Sequence, residues 1–148
     1  MTQNKASLAL QVNNMAASMI NLSQDCCETL YHVAHGQYAQ GKYLESMETF
    51  ILLTLAKPKV RKYWYALGAS QQMNKHYLKA IKSYEIAAAL DPVDPYVHVH
   101  AATCYFVLGS REEAFFALEC ASRAESMSNK DCPGLKEHVE LMQNCWKR

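Results

Sequence analysis

A register of 34 residues runs through this chain and limits what it can fold into. The phrase Gly41-Lys42-Tyr43-Leu44-Glu45-Ser46 is answered 34 residues on by Lys75-His76-Tyr77-Leu78-Lys79-Ala80, and again by Gly109-Ser110-Arg111-Glu112-Glu113-Ala114. Phe50, Tyr84 and Leu118 each follow the last residue of these phrases by four, and Pro58 and Pro92 follow by twelve. Such a period is the mark of stacked supersecondary units, none of which can bury its apolar face alone. The expected class is all-α: three helical hairpins in a right-handed superhelix, with one amphipathic helix before them and a capping helix after.

The middle copy carries Trp64, Leu67-Gly68, Ala80, Tyr84 and Pro92. That order is similar to the tetratricopeptide pattern, in which a Trp and a Leu-Gly precede Ala, an aromatic and Pro. The third copy departs most, with His98 for the Trp and Ala101-Ala102 for the Leu-Gly. Looser end copies are expected in a solenoid. Small residues suit places where helix backbones approach closely: Ala34, Gly68 and Ala102 in the first helices, Ser46, Ala80 and Ala114 in the second. Trp64, Tyr84 and Phe50 would then fill the spaces between hairpins.

Punctuation places helices near 24–39, 42–56, 60–73, 76–90, 95–107, 111–125 and 133–146. Ser23 is a plausible N-cap, Ser110 and Glu113 spell a capping box, and Asp94-Pro95 opens a helix with Pro in its first position. Lys75 stands where the other two turns have Gly, so Asn74 is expected to take the left-handed conformation in its place. Upstream, Leu8, Val12, Met15, Met19 and Leu22 follow helical spacing. That stripe must fold back on the first hairpin or pair with another subunit. The expected division is 1–22 as an amphipathic self-association segment, 23–128 as the repeats (about 27–60, 61–94 and 95–128), and 129–148 as the capping helix.

Charge narrows the partners. Fifteen Lys and Arg oppose 14 Asp and Glu, a formal charge of +1. This gives no electrostatic footprint for nucleic acid and no basic face for a membrane. No segment approaches the 18 unbroken apolar residues of a membrane span, and Gln11, Asn13 and Asn14 interrupt any signal-peptide core. A cytosolic protein is expected. Cys26, Cys27, Cys104, Cys120, Cys132 and Cys145 include no C-x-x-C pair and read as free thiols within helical patterns.

In such an array the first helix of each hairpin lines the concave side. The stripe beside its packing face is Glu28, Tyr31, His35 and Tyr38, then Lys62, Tyr65, Ala69 and Gln72, then Tyr96, Val99, Thr103 and Phe106. The row is aromatic and nearly uncharged. Aromatic rings give contact area at little entropic cost, and Tyr hydroxyls can bond a peptide backbone. A peptide-binding groove is the expectation, although any single ring could equally bridge hairpins as core.

The runs Leu30-Tyr31, Gln37-Tyr38, Gly41-Lys42-Tyr43, Leu67-Gly68-Ala69 and His100-Ala101-Ala102 behind a short apolar leader carry a narrower likeness. From about Met15 onward the chain resembles the class II chaperones of type III secretion systems, which bind translocator proteins. The resemblance implies a small bacterial cytosolic chaperone that holds an extended segment of a hydrophobic translocator in its concave groove before export. It also implies self-association through the N-terminal region. By position, Tyr31, Tyr38 and Tyr43 match aromatic groove residues of the first repeat, while His35 stands where relatives often carry an aromatic ring.

Three rival readings fit less well. A carboxylate clamp for an acidic tail would need Lys, Asn and Arg on the groove stripe. Tyr31, His35, Tyr96 and His100 stand there instead, with Ala66 between them and Lys62 as the one cation. Metal or enzyme chemistry would draw on His32 with His35, His98 with His100, or Cys26-Cys27. None of these converges with further ligands by spacing, and no phosphate loop or nucleophile elbow is present. No cofactor, metal or catalytic residue is expected. A generic scaffold joining folded proteins shares the fold and differs only in its partner.

Overall fold

The computed structural model describes residues 21–148. Among these the elements are α1 (Gln24–Ala39), α2 (Tyr43–Ala56), α3 (Arg61–Met73), α4 (Tyr77–Leu90), α5 (Tyr96–Val107), α6 (Arg111–Met127) and α7 (Leu135–Trp146). Leu8, Val12, Met15 and Met19 lie outside the described residues. Leu22 lies within them and packs, half-buried, on the core of the first hairpin.

Three hairpins form: α1 on α2, α3 on α4, and α5 on α6. Consecutive hairpins join through α2–α3 and α4–α5, and the first helices also touch one another, α1 with α3 and α3 with α5. That inner layer of first helices is what faces a groove. The six small residues of the repeat, Ala34, Ser46, Gly68, Ala80, Ala102 and Ala114, are all buried. Gly68 is the tightest of them: a Cβ there would lie 2.7 Å from Cε1 of Tyr84. Ser46 tolerates burial because its hydroxyl donates to the Ala34 carbonyl at 2.9 Å and lies 3.2 Å from the Ser70 hydroxyl. In the second hairpin, Ser83 and Tyr84 donate to the side-chain carbonyls of Gln71 and Gln72 at 2.6 and 2.8 Å.

The turns inside the hairpins share one device. Lys42 donates its amide to the Gln37 carbonyl and Gly41 to that of Tyr38, a Schellman closure. His76 to Gln71 with Lys75 to Gln72, and Ser110 to Tyr105 with Gly109 to Phe106, repeat it. The pivot residues have positive φ: 78° at Gly41, 62° at Lys75 and 81° at Gly109. Lys75, not Asn74, therefore takes the left-handed conformation. Asn74 keeps φ at −82° because its side-chain amide donates to the carbonyls of Tyr43 and Ser70, each at 2.9 Å. A non-glycine residue in that region costs about 1–2 kcal/mol. Lys75→Gly is expected to raise the unfolding free energy by about 0.5–1 kcal/mol, less than the full relief because glycine also loosens the unfolded chain. Urea titration of the two proteins checks the sign.

Ser23 caps α1, accepting from the Cys26 amide at 3.2 Å, with ψ of 158° aiming its hydroxyl at the first turn. The capping box expected at Ser110 does not form. Its ψ is 73° and its amide is committed to closing α5, so the hydroxyl makes no cap bond. At α5 the cap is Asp94, whose carboxylate accepts from the Tyr96 amide at 2.9 Å, while Pro95 sits just ahead of the helix. The Asp94 carboxylate also pairs with Arg61 of α3. α7 closes the far end, laying Leu135 and Val139 on a core with Val99, Ala102 and Leu118.

Candidate functional site

On the inner layer lies a cavity of about 260 Å³, lined by Tyr31, His35 and Tyr38 of α1, Phe50 of α2, Tyr65, Ala66 and Ala69 of α3, and His100 of α5. Its floor is Phe50, which is buried, and its walls are rings held by one another. Tyr31 meets Phe50 edge-on at 5.9 Å, and Tyr63, tilted by 38°, lies 5.7 Å away. Tyr65 meets His100 edge-on at 5.7 Å, and His100 lies flat on Tyr84 at 5.6 Å and 18°. Side chains packed this way are pre-formed, so little ordering remains to oppose binding.

The predicted stripe is only partly gathered here. Tyr31, His35, Tyr38, Tyr65 and Ala69 line the cavity. Tyr43 stands behind its rim, edge-on to Tyr38 at 5.2 Å. Lys62 is drawn off by Glu28, whose two carboxylate oxygens it meets at 3.1 Å each, and its ammonium lies 4.6 Å from the Tyr31 ring centre. That pair is half-exposed and contributes little to stability. Gln72 turns toward α4 and accepts the Tyr84 hydroxyl. Val99 is buried in the third core, and Phe106 is covered by Trp146, stacked at 4.3 Å and 7°. Phe106 is therefore not an open groove position, because α7 occupies that end of the stripe. Tyr96 stays 43% exposed beside a second cavity.

Three lining residues fall outside the expected stripe: Phe50, Ala66 and His100. Ala66 and His100 belong to the next 34-residue column, which begins at His32. Of that column, Ala66 and His100 line the cavity beside Tyr65 and Ala69, and His32 does not. The only signal in the sequence was the register itself, shifted by one residue.

Burial makes the site electrically quiet. It pushes the phenols of Tyr38, Tyr65 and Tyr84 above the usual range, so they remain neutral donors. The imidazole pKa of His100 is lowered, by burial first and by nearby His138 second, and that of His98 is lowered by burial. A base depressed in the folded state binds fewer protons than in the unfolded chain, so its penalty is absent above the unfolded value of about 6.5 and grows as pH falls through it. Thermal midpoints are expected to be level from pH 8 to 7 and to drop between pH 6.5 and 5.5. The drop should be shallower in a His98→Gln/His100→Gln variant, and an unchanged slope would remove these rings as its source.

Among the described residues no three His, Cys, Asp or Glu side chains converge as metal ligands, and no helix is long and apolar enough to cross a membrane. The six cysteines are free thiols; Cys104, buried under α4, has its pKa pushed up to about 11.

Residues 62–94 match the family model described as tetratricopeptide repeat. Over 98 residues the chain is 35% identical to low calcium response locus protein H of Yersinia pestis, a match that covers 66% of this chain and 58% of that relative. The crystal structure of the Yersinia enterocolitica type III secretion chaperone SycD in complex with a peptide of the translocator YopD is similar with a TM-score of 0.76 and 33% identity, over 84% of this chain and 95% of that one. PcrH, a protein of Pseudomonas aeruginosa, in complex with the chaperone binding region of PopD is similar with a TM-score of 0.79 and 27% identity, over 85% and 94% of the two chains.

Proposed function

The chain belongs to the type III secretion translocator chaperones of the tetratricopeptide-repeat superfamily, and we propose that it holds an extended apolar segment of a hydrophobic translocator in its concave groove until export. The observation that carries this reading is the pre-formed cavity on the inner layer, open to solvent and lined by aromatic rings. A segment able to enter a membrane aggregates in water. Covering about 800 Å² on each partner, the standard interface size, masks it without covalent chemistry. An extended client loses chain entropy on docking, which keeps affinity moderate and release possible.

In this reading the protein is a cytoplasmic binding protein without catalysis or cofactor. The array over 23–128 carries the client, 129–148 caps it, and 1–22 joins two copies through Leu8, Val12, Met15 and Met19, with Leu22 packed on the first hairpin. The test is affinity capture from the native bacterium with the wild type and a Tyr31→Ala/Tyr38→Ala/Tyr65→Ala variant that keeps its helical circular dichroism. Wild type should retain a secreted, membrane-active protein through a short protease-protected stretch, and the variant should lose it. Equal capture by both proteins would remove the groove as the binding site, and a folded cytosolic partner would replace the chaperone with a scaffold.

A further inference from the structure

The middle hairpin breaks the repeat twice at one place. At the turn pivot the outer hairpins carry Gly41 and Gly109, whereas the middle one carries Lys75 with φ of 62°. In the first turn of the helix that follows, the outer hairpins place Glu45 and Glu113, and the middle one places Lys79. Each exchange works against the fold. A side chain at a left-handed position is strained, and a cation at the start of a helix opposes the dipole that an acid there would satisfy. Neither lysine recovers that cost within the molecule: both are exposed, and no ion pair among the described residues involves either. Local rules broken in this way are kept where function uses the side chains. Both lysines line one shallow cavity of about 340 Å³, together with His76, Tyr77, Leu78 and, at the end of α5, Leu108. Its lining holds no carboxylate and shares no residue with the central cavity of the groove. Leu78 is 67% exposed and Leu108 42%.

We propose that this turn-edge cavity docks an acidic segment of a further partner protein, one in which a bulky aliphatic side chain lies beside two carboxylates. The carboxylates meet Lys75 and Lys79, and the aliphatic side chain covers Leu78 and Leu108, which otherwise stand in water. Charge matching of this kind selects the partner and speeds encounter more than it adds affinity. A phosphate chain fits less well. Two lysines on a protein of formal charge +1 release few counterions from it, and it would leave both leucines uncovered. Residues 1–20 contain no Asp or Glu, so the leader of this chain does not supply the segment. Asp91 and Asp94, which flank a loop of the outer edge, are committed to Arg61. Docking here leaves the central cavity open, so the proposal stands apart from the groove reading and lets one chain hold two partners.

The test selects phage-displayed random 16-residue peptides on the full chain and compares a Lys75→Gly/Lys79→Glu variant, which restores the residues of the outer hairpins. Peptides recovered by the wild type and not by the variant should carry paired Asp or Glu close to a Leu, Ile or Phe. By fluorescence anisotropy the variant should bind them about tenfold more weakly, since two attractive charge pairs are lost and one repulsion is added. The same variant should unfold at a higher urea concentration than the wild type, an outcome that a structural role for the lysines would reverse. Leu78→Ser should also weaken binding about tenfold, the worth of one covered aliphatic side chain, with the melting curve unchanged. The proposal is overturned if the variant binds the recovered peptides as tightly as the wild type, if it is the less stable protein, or if no acidic peptide is recovered. Tighter binding of a labelled single-stranded DNA than of any peptide would overturn it in favour of nucleic acid. Self-association of the wild type that the variant loses, measured by sedimentation, would overturn it in favour of a second copy.

Discussion

Tyr84→Ala is expected to lower the unfolding free energy by about 3–5 kcal/mol, the range for deleting a large buried aromatic side chain. The Tyr84 ring is 1% exposed and stands at the junction of the second and third hairpins. It fills the hollow left by Gly68, lies against His100, meets Tyr65 edge-on at 6.0 Å and donates its hydroxyl to Gln72. Removing it leaves a cavity between stacked units, and in a linear array such a gap weakens the coupling of everything beyond it. Tyr84→Phe should cost only about 1 kcal/mol, because it deletes one hydrogen bond and keeps the packing. Gly68→Ala attacks the same contact from the other side. In an exposed helix that change would gain about 1 kcal/mol, but here the added methyl must displace the Tyr84 ring, and overpacking of this kind costs about 1–3 kcal/mol. A net loss in Gly68→Ala, measured by urea unfolding, separates packing from propensity. A net gain would mean that the ring moves aside at no cost.

Ala69→Trp is expected to weaken client binding roughly 100-fold, the order of a hot-spot loss at an interface centre. Ala69 lines the central cavity from α3 and is half-buried, so an indole there extends into space that the folded chain leaves empty. The change should therefore be small in thermal stability and large in affinity. Titration of the captured translocator segment, with melting curves of both proteins, checks the pair of outcomes. Binding within threefold of wild type would show that the client does not enter this cavity. Tyr31→Ala would be less informative, because that ring also packs on Phe50 and Tyr63 and its loss mixes folding with binding.

The repeat was legible before any coordinates because its signals are local and redundant. Every helix falls within two residues of the expected range at each end. Small residues at 34, 46, 68, 80, 102 and 114 recur where helix backbones approach closely. Turn chemistry was read less well where one residue could serve two purposes. Asn74 suits a left-handed turn, yet its amide is better used between α2 and α3. Ser110 suits an N-cap, yet its backbone already terminates α5.

What the amino-acid order determined by itself is therefore the number of helices between residues 24 and 146, their pairing, and the aromatic character of the inner layer, since these follow from periodicity and composition within single units. Tertiary structure alone decided which of those aromatics are open. Packing brings Ala66 and His100 to the central cavity, while Gln72 turns to the Tyr84 hydroxyl and Val99 is buried in the third core. The docking of α7 covers Phe106 with Trp146 and creates a second cavity beside His138. Both depend on small angles summed over packed side chains, and a 3.6-residue period does not encode those angles.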